Sequence, residues 1–191
     1  MRTIYSGNIA VEATCEDRCN GIREGVVYQI RYLAEKHIAF VAFVDPISAM
    51  NAYNYATVNG IVVKSRRLKV GWGKPTTVHP SVVIAVQNGA SRNIYVGNIE
   101  ENFEEAKLRK DFEEFGEIEL SNSPPERKCV FVNFTCISNA MKARAGLKNH
   151  PNYKNYRVNY GKDRCGNANR RPQQQQQQQE GGEEVAEHAE S

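Results

Sequence analysis

The sequence predicts an α+β protein made of two copies of one βαββαβ unit, each a four-stranded antiparallel sheet with two helices on one face. Three observations predict it. The chain has 191 residues, room for two domains of roughly 75–100 residues. Short β-branched and aromatic runs alternate with helical patterns in the same order twice. Four blocks also recur at a nearly constant offset, the mark of a duplicated domain. IYSGNI (4–9) returns as IYVGNI (94–99), and KHIAFVAF (36–43) as RKCVFVNF (127–134). ISAMNA (47–52) echoes ISNAMKA (137–143), and RRLKVGWGK (66–74) stands where YRVNYGK (156–162) stands in the second copy.

Each element follows from local chemistry. Ile4 to Ile9 is a short strand. Thr14-Cys15-Glu16-Asp17 places a hydroxyl and a carboxylate three apart, a capping box, and the helix it opens is expected to stop near Gly25. VVYQIRYL (26–33) leads through Ala34-Glu35-Lys36 into HIAFVAF as a hairpin. Asp45-Pro46 supplies a cap and a first-turn proline for a second helix, on which Ala49, Met50 and Tyr53 are expected to share a face. RRLKV is the closing strand of the unit. In the second copy Leu108, Phe112 and Phe115 form a helical stripe stopped by Gly116. Its loop before the third strand is longer and contains Pro124-Pro125.

These elements divide the chain into a first unit (1–75), a linker (76–91), a second unit (92–165) and a tail (166–191). The linker holds the apolar run SVVIAV (81–86), which a free tether does not need, so it is expected to pack. The tail has seven consecutive glutamines and then glutamates; it cannot bury a core and is expected to be disordered.

Composition narrows the class. No run of about 18 apolar residues exists to span a membrane, and the first residues have no apolar signal core. Five scattered cysteines read as reduced, intracellular thiols. Cys15 and Cys19 are one helical turn apart, but no second Cys/His pair at ligand spacing accompanies them, so they read as structural and no metal site is expected. The four histidines are not paired with a nucleophile, and no phosphate-cradling GxxxxGK[ST] occurs, so neither catalysis nor a cofactor is expected. The net charge of +3 resolves into +8 before residue 172 and −5 from there on. A basic body suits a polyanion, although charge alone selects no function.

The two hexamers and two octamers resemble the paired motifs of RNA-recognition-motif domains, which have a ferredoxin-like βαββαβ fold. The resemblance implies that single-stranded RNA stacks on the open face of each sheet. Side chains alternate along a strand, so Ala39, Val41 and Phe43, with Val130, Val132 and Phe134, are expected to face the helices. Tyr5, Ile38 and Phe40, with Tyr95, Cys129 and Phe131, are expected on the open face. Lys36 and Arg127 lead the octamers and could pair with phosphate, and Arg67, Lys69, Arg157 and Asn159 are expected to flank the rings. Asn8 and Asn98 of the hexamers complete the expected RNA-binding set. Trp72 and Tyr160 share parity with Val70 and Val158 and are expected to pack rather than touch bases. Two departures stand out. The octamer's third position is Ile38 or Cys129 rather than aromatic, and its second is His37 or Lys128 rather than glycine. Each domain therefore offers two rings, which implies weaker binding per domain and joint use of both.

Longer blocks, among them CEDRCNGIREG (15–25), EKHIAFVAFVDP (35–46), GASRNIYVGNI (89–99) and YGKDRCGN (160–167), resemble the C-terminal pair of domains in the fungal negative-regulator-of-differentiation family of four-domain mRNA-binding proteins. That implies a cytoplasmic, non-enzymatic regulator of mRNA stability or translation, with the nucleus as the other compartment and a monomer as the expected state. The competing class is a protein-interaction module, in which one or both folds bind a peptide. The second unit is the more suited to it, since 13 basic residues face 11 acidic ones there, against 10 and 6 in the first.

Overall fold

The computed structural model describes residues 1–124 and 126–166; the tail expected from residue 166 lies, from 167 on, outside the described residues. The first unit runs β1 (Thr3–Gly7), α1 (Cys15–Asn20), β2 (Val27–Leu33), β3 (Ile38–Phe43), α2 (Pro46–Asn59), β4 (Val62–Val63), β5 (Arg66–Arg67) and β6 (Lys69–Trp72). A helix, α3 (Pro80–Gln87), occupies the linker. The second unit runs β7 (Asn93–Gly97), α4 (Glu105–Glu113), β8 (Ile118–Asn122), β9 (Cys129–Phe134), α5 (Ile137–Lys148) and β10 (Arg157–Tyr160). The sheets have the orders β2-β3-β1-β6 and β8-β9-β7-β10, every neighbouring pair antiparallel.

Alternation sets the two faces. Ala39, Val41 and Phe43 of β3 are buried, as are Val130, Val132 and Phe134 of β9, the latter beneath Leu108, Phe112 and Leu147. Thr14 caps α1 as expected: its hydroxyl accepts from the Asp17 N–H at 3.1 Å, and the Asp17 carboxylate accepts from the Thr14 N–H at 2.9 Å. The Thr14 N–H, and after it the Thr14 hydroxyl, hold the Asp17 carboxyl below its usual range.

Three local expectations need correction. The first helix stops at Asn20 rather than near Gly25, because the Gly21 and Ile22 N–H groups turn back to Arg18 O and Cys19 O. Met50 is 57% exposed: the inward stripe of α2 is Ala49, Ala52, Tyr53 and Ala56, and Met50 is about 100° around from Ala49. The closing strand is also shorter than RRLKV. Arg66-Arg67 pair instead with Val62-Val63 in a small hairpin whose turn, Lys64-Ser65, has φ of 49° and 65°, the double positive-φ signature of a tight hairpin turn.

The units are joined by more than the linker. Val82 of α3 is buried against Ala90 and Ile137, with Tyr28, Val44 and Met141 packed around them. The outer edge of β2 meets the second unit directly, the Ile30 N–H donating to Thr135 O at 2.9 Å. That contact covers an edge strand that would otherwise offer unpaired backbone. On the other side the chain after β10 returns to the first unit, where the Gly166 N–H donates to Ile22 O at 2.9 Å and Arg164 pairs with Glu16.

Candidate nucleic-acid interface

The strand registers bring one ring pair together on each open face. Tyr5 lies opposite Phe40 and Tyr95 opposite Phe131. Their centroids are 5.7 Å apart at 60° in the first sheet and 5.5 Å apart at 51° in the second. All four rings are half-buried. Glycine makes the platforms flat. The Tyr5 ring lies down over Gly7, two residues on and on the same face, where a Cβ would meet the phenol oxygen at 2.6 Å. Tyr95 lies over Gly97 in the same way. Phe40 rests against Gly73 and Phe131 against Gly161.

Other expected residues gather around these rings. Lys69 opposes Gly7, Arg157 opposes Gly97 and Asn159 opposes Tyr95, all three exposed. Ile38 shares the face of Phe40 and is half-buried; Cys129 shares that of Phe131 but is only 4% exposed. Lys36 is exposed in a 3-10 turn (Ala34–Lys36) before β3, and Arg127 is exposed in the turn before β9. Asn8 and Asn98 have positive φ, and their amides donate to Arg67 O at 3.0 Å and Asn155 O at 2.9 Å, tying β1 to β5 and β7 to the turn before β10. Arg67 stands apart from the rings, its guanidinium packed on Gly60 beyond α2. Trp72 and Tyr160 face the helical layer: Trp72 stacks on Tyr53 at 4.7 Å, and Tyr160 lies under the Arg144 guanidinium at 5.0 Å.

Residues that motif reading missed complete the surface. Arg31 on β2 opposes Phe40, and Asn122 on β8 opposes Phe131; both are exposed. Both strands lie outside the motifs, and only the cross-strand register shows the pairing.

The RNA recognition motif family model matches residues 94–158. The "RNA-binding protein MRN1" of Saccharomyces cerevisiae is 42% identical over 177 residues, spanning 87% of this chain and 29% of that protein. The "RNA-binding protein NAB6" of the same yeast is 34% identical, spanning 88% of this chain and 19% of that protein. The "Meiotically up-regulated gene 24 protein" of Schizosaccharomyces pombe is 36% identical, spanning 86% of this chain and 25% of that protein. This chain belongs to the RNA-recognition-motif family. It carries two such domains in tandem and spans under a third of the length of each of these fungal relatives.

Beside Phe131 the second RNA recognition motif opens into a groove of about 700 Å³, lined by Arg127, Asn133 and Lys162 and walled on one side by Cys15 and Cys19 of the first domain. A buried polar network adjoins the groove through Asn133. Arg92, fully buried, grips Asp163 with two bonds of 2.7 and 2.8 Å and donates to Glu119 at 2.8 Å and to the Cys165 sulfur at 3.3 Å. Burial opposes the Arg92 charge, but the two carboxylates outweigh it and keep the guanidinium protonated. Glu119 also accepts from the Asn133 amide at 2.6 Å, while burial pushes its carboxyl up. Asn93 lines the same groove, and its Oδ1 is buried with no hydrogen-bond partner among the described residues.

Proposed function

We propose that this chain binds single-stranded RNA, in cells mRNA, on both open sheet faces and regulates transcript stability or translation without an enzymatic step. The observation that carries the reading is the pair of aromatic platforms held in the same register in both domains. Half-exposed rings held flat by glycine are suited to stack bases, each stack contributing about 1–3 kcal/mol. Lys69 and Arg157 flank them at matching positions and supply phosphate contacts. Binding through one chain acting as a monomer, in the cytoplasm, fits the same reading.

Titration of fluorescent single-stranded RNA pools tests it, with wild type, Tyr5→Ala/Phe40→Ala and Tyr95→Ala/Phe131→Ala at two salt concentrations. Wild type should bind with an affinity that falls steeply as salt rises, because phosphate contacts release counterions, and each double variant should lose affinity while staying folded. Folded wild type that ignores RNA at low salt refutes the proposal and assigns the rings to a protein partner.

A further inference from the structure

The two cysteines one turn apart on α1 are not alone. Folding brings the Glu119 carboxylate from the second domain so close that its oxygen and the Cys15 and Cys19 sulfurs all lie within 4.8 Å of one another. A third thiol, Cys165, packs in the same buried cluster as Cys19 from the segment after β10, and its sulfur accepts from Arg92 at 3.3 Å, the guanidinium that also donates to Glu119. Cys19 and Cys165 are 2% and 1% exposed, and the Glu119 side chain 8%. Three soft or anionic donors thus converge at the seam between the domains, with the Cys165 thiol packed beside them. Tetrahedral zinc bound at about 2.3 Å places its sulfur ligands about 3.8 Å apart, within reach of small side-chain shifts from this arrangement.

We propose that Cys15, Cys19 and Cys165, with Glu119 as fourth ligand, bind one zinc ion that clamps the first RNA recognition motif to the second. Ligand chemistry selects the metal. Three thiolates exclude calcium and magnesium, which take oxygen, and a closed tetrahedral set with one carboxylate suits zinc. Arg92 is the outer-shell partner. Its guanidinium donates to both Cys165 and Glu119, orienting two ligands and offsetting their charge. Asp163 in turn holds Arg92 and accepts from the Cys165 N–H at 3.0 Å, fixing the backbone of the third sulfur ligand. Binding passes the thiol protons to the buffer as Zn–S bonds form. The clamp has a place in the architecture: α1 is six residues long, the 162–166 segment has no strand or helix of its own, and together they wall the groove beside Phe131. The site stands on its own geometry and does not depend on the RNA reading.

The test is a cobalt(II) titration of the whole reduced chain, with metal content measured on the protein as purified. The expected result is one zinc per chain, and on replacement one cobalt with thiolate charge-transfer absorption and the visible bands of a tetrahedral ion. Cys19→Ser and Cys165→Ser should each remove that spectrum, Glu119→Gln should weaken it, and Cys136→Ser, a buried thiol outside the cluster, should leave it intact. Circular dichroism shows whether each variant is folded. Zinc-free protein that shows only octahedral cobalt overturns the proposal and makes the three thiols packing residues. A tetrahedral spectrum unchanged in folded Cys165→Ser overturns the proposed ligand set.

Discussion

Gly97→Ala tests how the aromatic platform works without removing an aromatic ring. A Cβ at this position meets Cε1 and Cζ of Tyr95 at 2.7 Å, where ordinary contact begins at 3.4 Å. The phenol oxygen lies closer still, so the far end of the side chain must lift by at least about 0.7 Å, which tilts the ring out of the plane that a stacked base shares with it. Holding Tyr95 off its preferred rotamer costs of order 0.5–1.5 kcal/mol, so RNA affinity should fall about 2- to 13-fold. Tyr95→Ala removes the stack and should cost about 1–3 kcal/mol, roughly 5- to 150-fold. The decisive measurement is the double-mutant cycle, read by fluorescence anisotropy on one RNA at fixed salt. If the glycine acts only through the ring, Tyr95→Ala/Gly97→Ala binds no worse than Tyr95→Ala, and the coupling equals the whole Gly97→Ala effect. Additive losses would refute the reasoning and mean that the extra methyl obstructs RNA or disturbs β7.

Arg92→Met leaves Asp163 and Glu119 buried without their cation; urea unfolding should show a loss of about 3–5 kcal/mol. A loss under 1 kcal/mol would mean that the carboxylates find water. Val82→Ala removes two buried methyl groups between α3 and Ile137, costing about 2 kcal/mol. It should speed amide exchange at Ile30, whose N–H bonds Thr135 O across the seam; unchanged exchange there would show that α3 does not hold the domains together. Asp17 has a depressed pKa because it accepts from Thr14. Its stabilising effect is therefore present above the unfolded value near 3.8 and is lost as pH falls through the lower folded value. Denaturation midpoints of wild type and Asp17→Ala should differ at pH 7 and converge in strong acid; a constant gap would assign the effect to packing.

Much of this fold was readable from the residues in order. Period-two alternation is local, so IAFVAF and CVFVNF alone divide Phe40 and Phe131 from Phe43 and Phe134. Capping chemistry is local as well, which is why Thr14 and Asp17 appear where a three-residue spacing places them. Expectations slipped where several local answers compete: Arg66-Arg67 satisfy a tight turn as readily as a longer strand, and Met50 differs from Ala49 by one helical step. The sequence by itself determined the duplication, both layers of each sheet and the four rings. Tertiary structure alone decided that Arg31 and Asn122 face those rings, because cross-strand register depends on long-range pairing. Only the docking of the domains sets Cys165 beside Cys19, and only the tertiary fold of the second domain brings Glu119 and Asp163 to Arg92. Separation along the chain has no bearing on contact once two cores pack, and no spacing rule reaches across that distance.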